Sequence, residues 1–178
     1  MKLRRSLLIA VPLLLLAAVA GANYFFLQRH LTRVLDADPR NKGVEAVVHY
    51  KFFVLPSTLV FDLRAVSPTN SPIDVARVLL QFAQTQKEQA FTLVQLAHKG
   101  TEKFQLDGSY FRTLGQEYGT QNPVYTMRTL AENVRHLDGS SAFGTWTGGL
   151  LGVMGKQMED FRRFHEQWYI DDLTKTDG

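Results

Sequence analysis

Asp107 and Ser109 are the residues whose types and placement come nearest to a catalytic pair. They belong to an Asp-Gly-Ser stretch at the predicted end of a strand, where a serine hydroxyl is accessible for nucleophilic attack. A Ser-His-Asp hydrolase draws its members from anywhere in a chain, although no Gly-x-Ser-x-Gly elbow is present. An exported hydrolase with an unconventional site near Asp107–Arg112 is therefore the alternative function that the sequence leaves open.

A second set of residues combines aromatic rings with positive charge, as recognition surfaces often do. We take four of them as binding candidates: Tyr110, Arg112, Tyr125 and Arg128. The competing interpretation is that these side chains form an ordinary core edge and solvated surface. The sequence indicates no ligand for them.

Metal and cofactor chemistry is not predicted. The chain has no cysteine, and its five histidines form no His-x-His or His-x-x-x-His pair. The glycines before Lys156 fail the phosphate-loop pattern, because Leu150 and Gln157 stand where glycine and serine or threonine are needed. His165 falls on the apolar face of the last predicted helix and is expected to be a core histidine.

The charge balance argues against nucleic-acid binding. The chain has 20 basic and 17 acidic residues, and removing Lys2, Arg4 and Arg5 from the count leaves 17 of each. The basic excess thus belongs to the first few residues, and no cluster of Lys and Arg marks a phosphate-binding face.

The N-terminal segment predicts where the protein resides. The 23 residues from Ser6 to Gln28 carry no charge, and about 20 apolar residues suffice to cross a bilayer as a helix. We expect a signal anchor that stays attached and makes the lipid bilayer the first partner. The alternative is a cleaved signal peptide and a soluble exported protein, with Ala-x-Ala sites at Ala18–Ala20 and Ala20–Ala22.

Orientation follows from the flanking charges. Lys2, Arg4 and Arg5 favour a cytoplasmic N-terminus and a single-pass protein whose C-terminal domain is extracytoplasmic, for example periplasmic. Basic residues after the apolar run, including Arg29 and Arg33, oppose that bias, so a cytosol-facing domain is a further possibility. The predicted division is 1–28 anchor, 29–43 juxtamembrane connector and 44–178 one domain.

Hydrophobic periodicity predicts the elements of that domain. Alternation of apolar and polar residues predicts strands over Val44–Phe53 and Thr58–Val66, joined by a turn at Leu55–Ser57, and later over Phe91–His98 and around Phe104–Leu106. Val124–Leu130 is a possible fifth strand. Helical spacing predicts helices that begin at Ser71-Pro72 and near Gly108, and a long one over Gly149–Asp172.

These elements define an α+β fold, with a mostly antiparallel sheet of four or five strands packed against about three helices. Without a readable active site, the leading hypothesis is a non-catalytic binding or accessory domain of unknown specificity. It would be anchored in the membrane and would work with a protein partner in the cell envelope.

Overall fold

The computed structural model describes residues 2–174 of the chain and the side chains of residues 11–173. The last four residues of the expected domain, 175–178, lie outside the described residues, as do the side chains of the basic start Lys2, Arg4 and Arg5.

The chain begins with one continuous helix in three parts. Helix α1 (Lys2–Asn23) passes through a π-helical turn (Tyr24–Gln28) into α2 (Arg29–Ala37). From Val11 to Ala37 this helix is long and apolar enough to span a membrane or to act as a signal sequence. It ends at Ala37, because Asp38 precedes Pro39 and the residue before a proline avoids helical geometry. Asp38 is extended, and its carboxylate accepts a hydrogen bond from the Arg40 N–H at 3.0 Å.

Four strands form a single mixed sheet within the described residues. They are β1 (Val44–Lys51), β2 (Leu55–Val66), β3 (Leu93–His98) and β4 (Thr101–Asp107), in that spatial order. The pairs β1–β2 and β3–β4 are antiparallel, whereas β2 and β3 are parallel. Two of the three pairs are thus antiparallel, and the β2–β3 pair makes the sheet mixed. A helix between two neighbouring strands returns the chain to the starting edge, so the second strand runs parallel to the first.

The crossing helix is α3 (Pro72–Thr85), which begins at the predicted serine and proline. The Asp74 carboxylate accepts a hydrogen bond from the Ser71 backbone N–H at 2.7 Å and fixes this start. Helix α4 (Gly108–Glu117) follows β4 directly, also as predicted.

The expected fifth strand is wrong, because Val124–Leu130 lies in helix α5 (Pro123–Leu130). The Asn122 side chain accepts a hydrogen bond from the Val124 N–H at 2.9 Å, and proline occupies the first helical turn. Both features are strong helix-start signals, and they prevail over the strand propensity of Val124, Tyr125 and Thr126.

The last predicted helix is present in three parts: α6 (Leu150–His165), a π-helical turn (Glu166–Ile170) and α7 (Asp171–Thr174). Its C-terminal half packs on the sheet. The Phe61 ring of β2 lies 6.0 Å from Phe82 of α3 and 6.2 Å from Trp168. The Trp168 indole donates a hydrogen bond to the Ala97 carbonyl at 3.0 Å, so the core tryptophan is satisfied.

The end of the predicted anchor and the segment after it also join this core. Leu27, Leu31 and Val34 are buried at helical spacing, and Asn41 is buried with its amide donating to the Val34 carbonyl at 2.9 Å. The chain expected to form a connector, residues 29–43, therefore packs against the sheet and α3.

Candidate functional site

The predicted catalytic candidates lie at the junction of β4 and α4. Asp107 is the last residue of β4, and Arg135 donates to its carboxylate at 3.1 Å. Ser109 is exposed in the first turn of α4, and within the described residues its hydroxyl makes no hydrogen bond to a histidine or a carboxylate. A serine nucleophile needs an adjacent base to be activated, so this geometry lacks the central contact of a hydrolase.

The four binding candidates do not form one surface. Tyr125 and Arg128 do meet on α5, with the guanidinium 5.3 Å from the ring centroid. Arg112 lies elsewhere, where its guanidinium approaches the Gln89 carbonyl at 3.4 Å. The Tyr110 hydroxyl is buried, and burial raises the pKa of this phenol. Only the pair on α5 is therefore assembled, with Tyr125 exposed and Arg128 partly buried.

In the part of the chain that the structure describes, no three His, Asp or Glu residues are grouped so that they could hold a metal ion. His165 is buried as expected, but neither ring nitrogen has a hydrogen-bond partner. Its neighbours are the rings of Phe161, Phe164, Trp168 and Tyr169. Burial among them lowers the pKa of His165 to about 3, so the imidazole is neutral at neutral pH.

A groove between α3, α4 and α5 is an apolar concavity with a volume of about 370 Å³. Its lining includes Ile73, Leu80, Leu114, Tyr118, Pro123 and Met127. Arg40 and Arg77 stand at it, but Arg40 pairs with Asp38 at 2.7 Å and Arg77 with Asp74 at 2.7 Å. The hydrogen bond from Arg40 holds the pKa of the Asp38 carboxyl well below its usual range. The two arginines at this apolar groove are thus each paired with a carboxylate.

The first half of α6 is a second apolar surface. Leu150 is exposed, Leu151 is 84% exposed, and Met158 and Trp146 are partly exposed. Leu150, Met158 and Phe164 fall on one face of this helix by their spacing in the sequence. The structure buries only the C-terminal part of it, because the helix extends beyond the sheet at its N-terminal end.

The turn between β1 and β2 is a third apolar surface, one that sequence reasoning missed. The turn consists of Phe52, Phe53 and Val54, and not of the predicted Leu55–Ser57. The pattern assigned Phe52 and Phe53 to the strand, but the strand pairing already ends where Lys51 pairs with Leu55. The signal was present as four consecutive apolar residues, Phe52–Leu55, at a place where a hairpin normally has polar turn residues.

This turn lies beside the apolar N-terminal helix. The Asn23 side chain accepts a hydrogen bond from the Tyr50 N–H and donates one to the Phe53 carbonyl, both at 2.8 Å. Gln28 similarly accepts from the Val48 N–H at 2.9 Å. The helix therefore covers the exposed edge of β1, whose unpaired N–H groups would otherwise invite another strand.

These features define an α+β domain whose edge strand is closed by the base of an apolar helix. The chain matches no protein-family model, no curated protein and no solved structure. The roles of its residues are therefore inferred from their contacts in the structure.

Proposed function

We propose that the protein is a membrane-anchored, extracytoplasmic, non-catalytic domain that binds a protein partner in the cell envelope. One observation supports the membrane anchor. Helix α1 projects from the packed domain with its leucines open, since Leu14 is 69% exposed, and the helix enters the core only from Asn23 onward. An exposed apolar helix of this length is costly in water and favourable in lipid.

The contacts at the base of α1 support a retained anchor. Ala18, Val19 and Ala22, which belong to the two Ala-x-Ala sites, line a concavity together with Phe53 and Val54. Cleavage there would remove side chains against which the domain packs. The basic residues before the apolar run support export of the domain, by the same bias that the sequence indicated.

Fractionation and mass analysis test the anchor. The full-length protein should remain with membranes after extraction at alkaline pH and should be released by detergent. Its intact mass should include Ser6–Gln28. A mature protein that begins at Gly21 or Asn23, or one released by alkali, would overturn the proposal.

Protection from protease added outside tests the orientation. With the domain outside, externally added protease should cleave exposed loops such as the one containing Gly148, whereas a tag placed before Lys2 should be protected. The reverse pattern would assign the domain to the cytosol.

The exposed first half of α6 supports a partner-binding role. Apolar surface that remains open on an isolated domain often marks a protein contact. A photoreactive group at Leu151 should form a defined crosslink in membranes, and Lys156→Glu in the same helix should leave that crosslink in place if the contact is apolar. If the group at Leu151 crosslinks only to lipid or to nothing, the partner-binding part of the proposal fails.

A further inference from the structure

The β1–β2 turn exposes more apolar surface than a soluble hairpin needs. Phe52 is 75% exposed, Phe53 53% and Val54 64%. Leu55, the next residue, is also exposed. These side chains form one contiguous apolar tip, which we call the apolar turn (Phe52–Val54).

The backbone of the apolar turn makes aromatic residues an unexpected choice. Phe52 has φ of 53° and Phe53 has φ of 64°, both in the left-handed region. Asn and Gly adopt that region readily, whereas a bulky residue there costs of order 1 kcal/mol or more. A polar Asn-Gly turn would avoid both the strain and the apolar exposure, so the two phenylalanines need another reason.

The position of the turn supplies that reason. Asn23 ties the Phe53 carbonyl to the end of α1 through the 2.8 Å hydrogen bond, and the Phe53 and Val54 side chains face Ala18, Val19 and Ala22. The turn therefore lies level with residues 18–22 of the helix. Since the helix enters the domain core from Asn23 onward, that level is one to five residues inside the lipid-facing part of the helix, which is about 2–8 Å at 1.5 Å per residue.

We propose that the apolar turn inserts into the same bilayer leaflet as the C-terminal part of the anchor and gives the domain a second lipid contact. This inference depends on the proposed anchor and adds a residue-level role to it. The turn contacts lipid, because it is fixed beside a helix segment that would itself be within the leaflet.

The residues next to the turn fit the boundary between lipid and water. The Lys51 ammonium lies 5.2 Å from the Phe52 ring centroid and pairs with Glu102 at 2.6 Å, and His49 stacks on Phe53 at 4.4 Å. Long cationic side chains keep their charge at the headgroup level while their stems lie along apolar surface. With two separate contacts, the anchor and the turn, the domain cannot rotate freely about the anchor axis.

Fluorescence quenching by lipid tests the insertion. The full chain is reconstituted in phosphatidylcholine vesicles that contain phosphatidylcholine brominated on its acyl chains. Three single variants each add one tryptophan: Phe52→Trp at the turn, Leu14→Trp within α1, and Thr69→Trp. Thr69 is exposed in the loop at the opposite end of the β1–β2 pair, where the Ser67 N–H binds the Gly43 carbonyl. The parent chain supplies the background from Trp146 and Trp168.

The expected result is that Phe52→Trp and Leu14→Trp both lose emission to the brominated chains, while Thr69→Trp keeps its emission. Quenching of Leu14→Trp without quenching of Phe52→Trp would overturn the insertion and leave the anchor intact. Quenching of neither would overturn both. Equal quenching at position 69 would mean that the whole domain lies in lipid, which also contradicts a specific role for the turn.

Discussion

The Asn23 side-chain oxygen accepts a hydrogen bond from the Tyr50 backbone N–H at 2.8 Å, although the two residues are 27 positions apart. The same amide donates to the Val19 and Phe53 carbonyls, each at 2.8 Å. One buried side chain thus joins the last turn of α1, the edge strand and the apolar turn. Because Asn23 is the point where the helix enters the domain, it determines how rigidly the domain is held relative to that helix.

Replacing Asn23 should destabilise the hairpin. Asn23→Ala leaves the Tyr50 N–H without its partner and should lower the free energy of unfolding by about 1–3 kcal/mol. Denaturant unfolding in detergent measures this loss, and limited proteolysis should cut first near Phe52–Val54. Gln28→Ala is the matched control, since it removes only the bond to the Val48 N–H. Equal losses in the two variants would contradict a special role for Asn23.

Helices α3 and α4 approach each other closely at Gly115. A Cβ at this position would come within 2.6 Å of the Ala83 carbonyl carbon. Gly115→Ala should therefore push the helices apart and lower the free energy of unfolding by about 1–3 kcal/mol.

Gly152→Ala is the control for that substitution, because Gly152 also lies in a helix but has nothing within 4 Å of its would-be Cβ. Alanine is the better helix former there, so this variant should gain up to about 1 kcal/mol. If both substitutions shift the unfolding midpoint in the same direction, the close approach of α3 and α4 at Gly115 does not explain the loss of stability.

His165 should make the protein sensitive to acid. Burial lowers its pKa from the ordinary 6.5 to about 3, so between these values the unfolded chain binds a proton that the folded chain does not. Stability therefore falls as the pH drops through this window, by about 2 kcal/mol from pH 6.5 to pH 5 if this group acts alone. His165→Leu removes the contribution and should flatten the dependence of the denaturation midpoint on pH.

The control for His165 is His136→Gln, which changes an exposed histidine. It should retain the slope of the parent chain. His165→Leu should also be more stable than the parent at pH 7, since an imidazole without hydrogen-bond partners is removed from the core. A steep pH dependence that survives His165→Leu would assign the acid sensitivity to other groups.

The sequence predicted the elements whose local signals agree with their packing. Ser71-Pro72 predicted the start of α3, and the alternation over Val44–Phe53 predicted β1, which the structure ends at Lys51. Both predictions succeeded because capping and face burial act on neighbouring residues. The sequence failed at Val124–Leu130, where a cap outweighed residue propensity, and at the β2–β3 pair, whose direction depends on the crossing helix. The apolar turn was missed because its position beside α1 depends on the hydrogen bond between Asn23 and Phe53, which are 30 residues apart in the chain.

The candidate sites were less predictable, since they require contacts between distant segments. Tyr125 and Arg128 meet because both lie on one helix, which sequence spacing reveals once α5 is recognised. Arg112 is separated from them because α4 presents it toward Gln89, and the groove beside α3 depends on how α4 and α5 are placed relative to each other. No local pattern encodes either arrangement.

The two ends of α6 should respond differently to a charge. Phe164 is fully buried and its ring lies 5.6 Å from Phe104 and 5.3 Å from Trp168, so Phe164→Glu places a carboxylate in the core. That change should cost at least about 3 kcal/mol and prevent stable folding. Leu151→Glu adds the same group at the open end of the helix and should alter the free energy of unfolding by no more than about 0.5 kcal/mol. Leu151→Glu should nevertheless abolish a crosslink formed at the neighbouring Leu150 in membranes. A Leu151→Glu protein that unfolds would instead place this end of α6 in the core and remove it as a partner-binding surface.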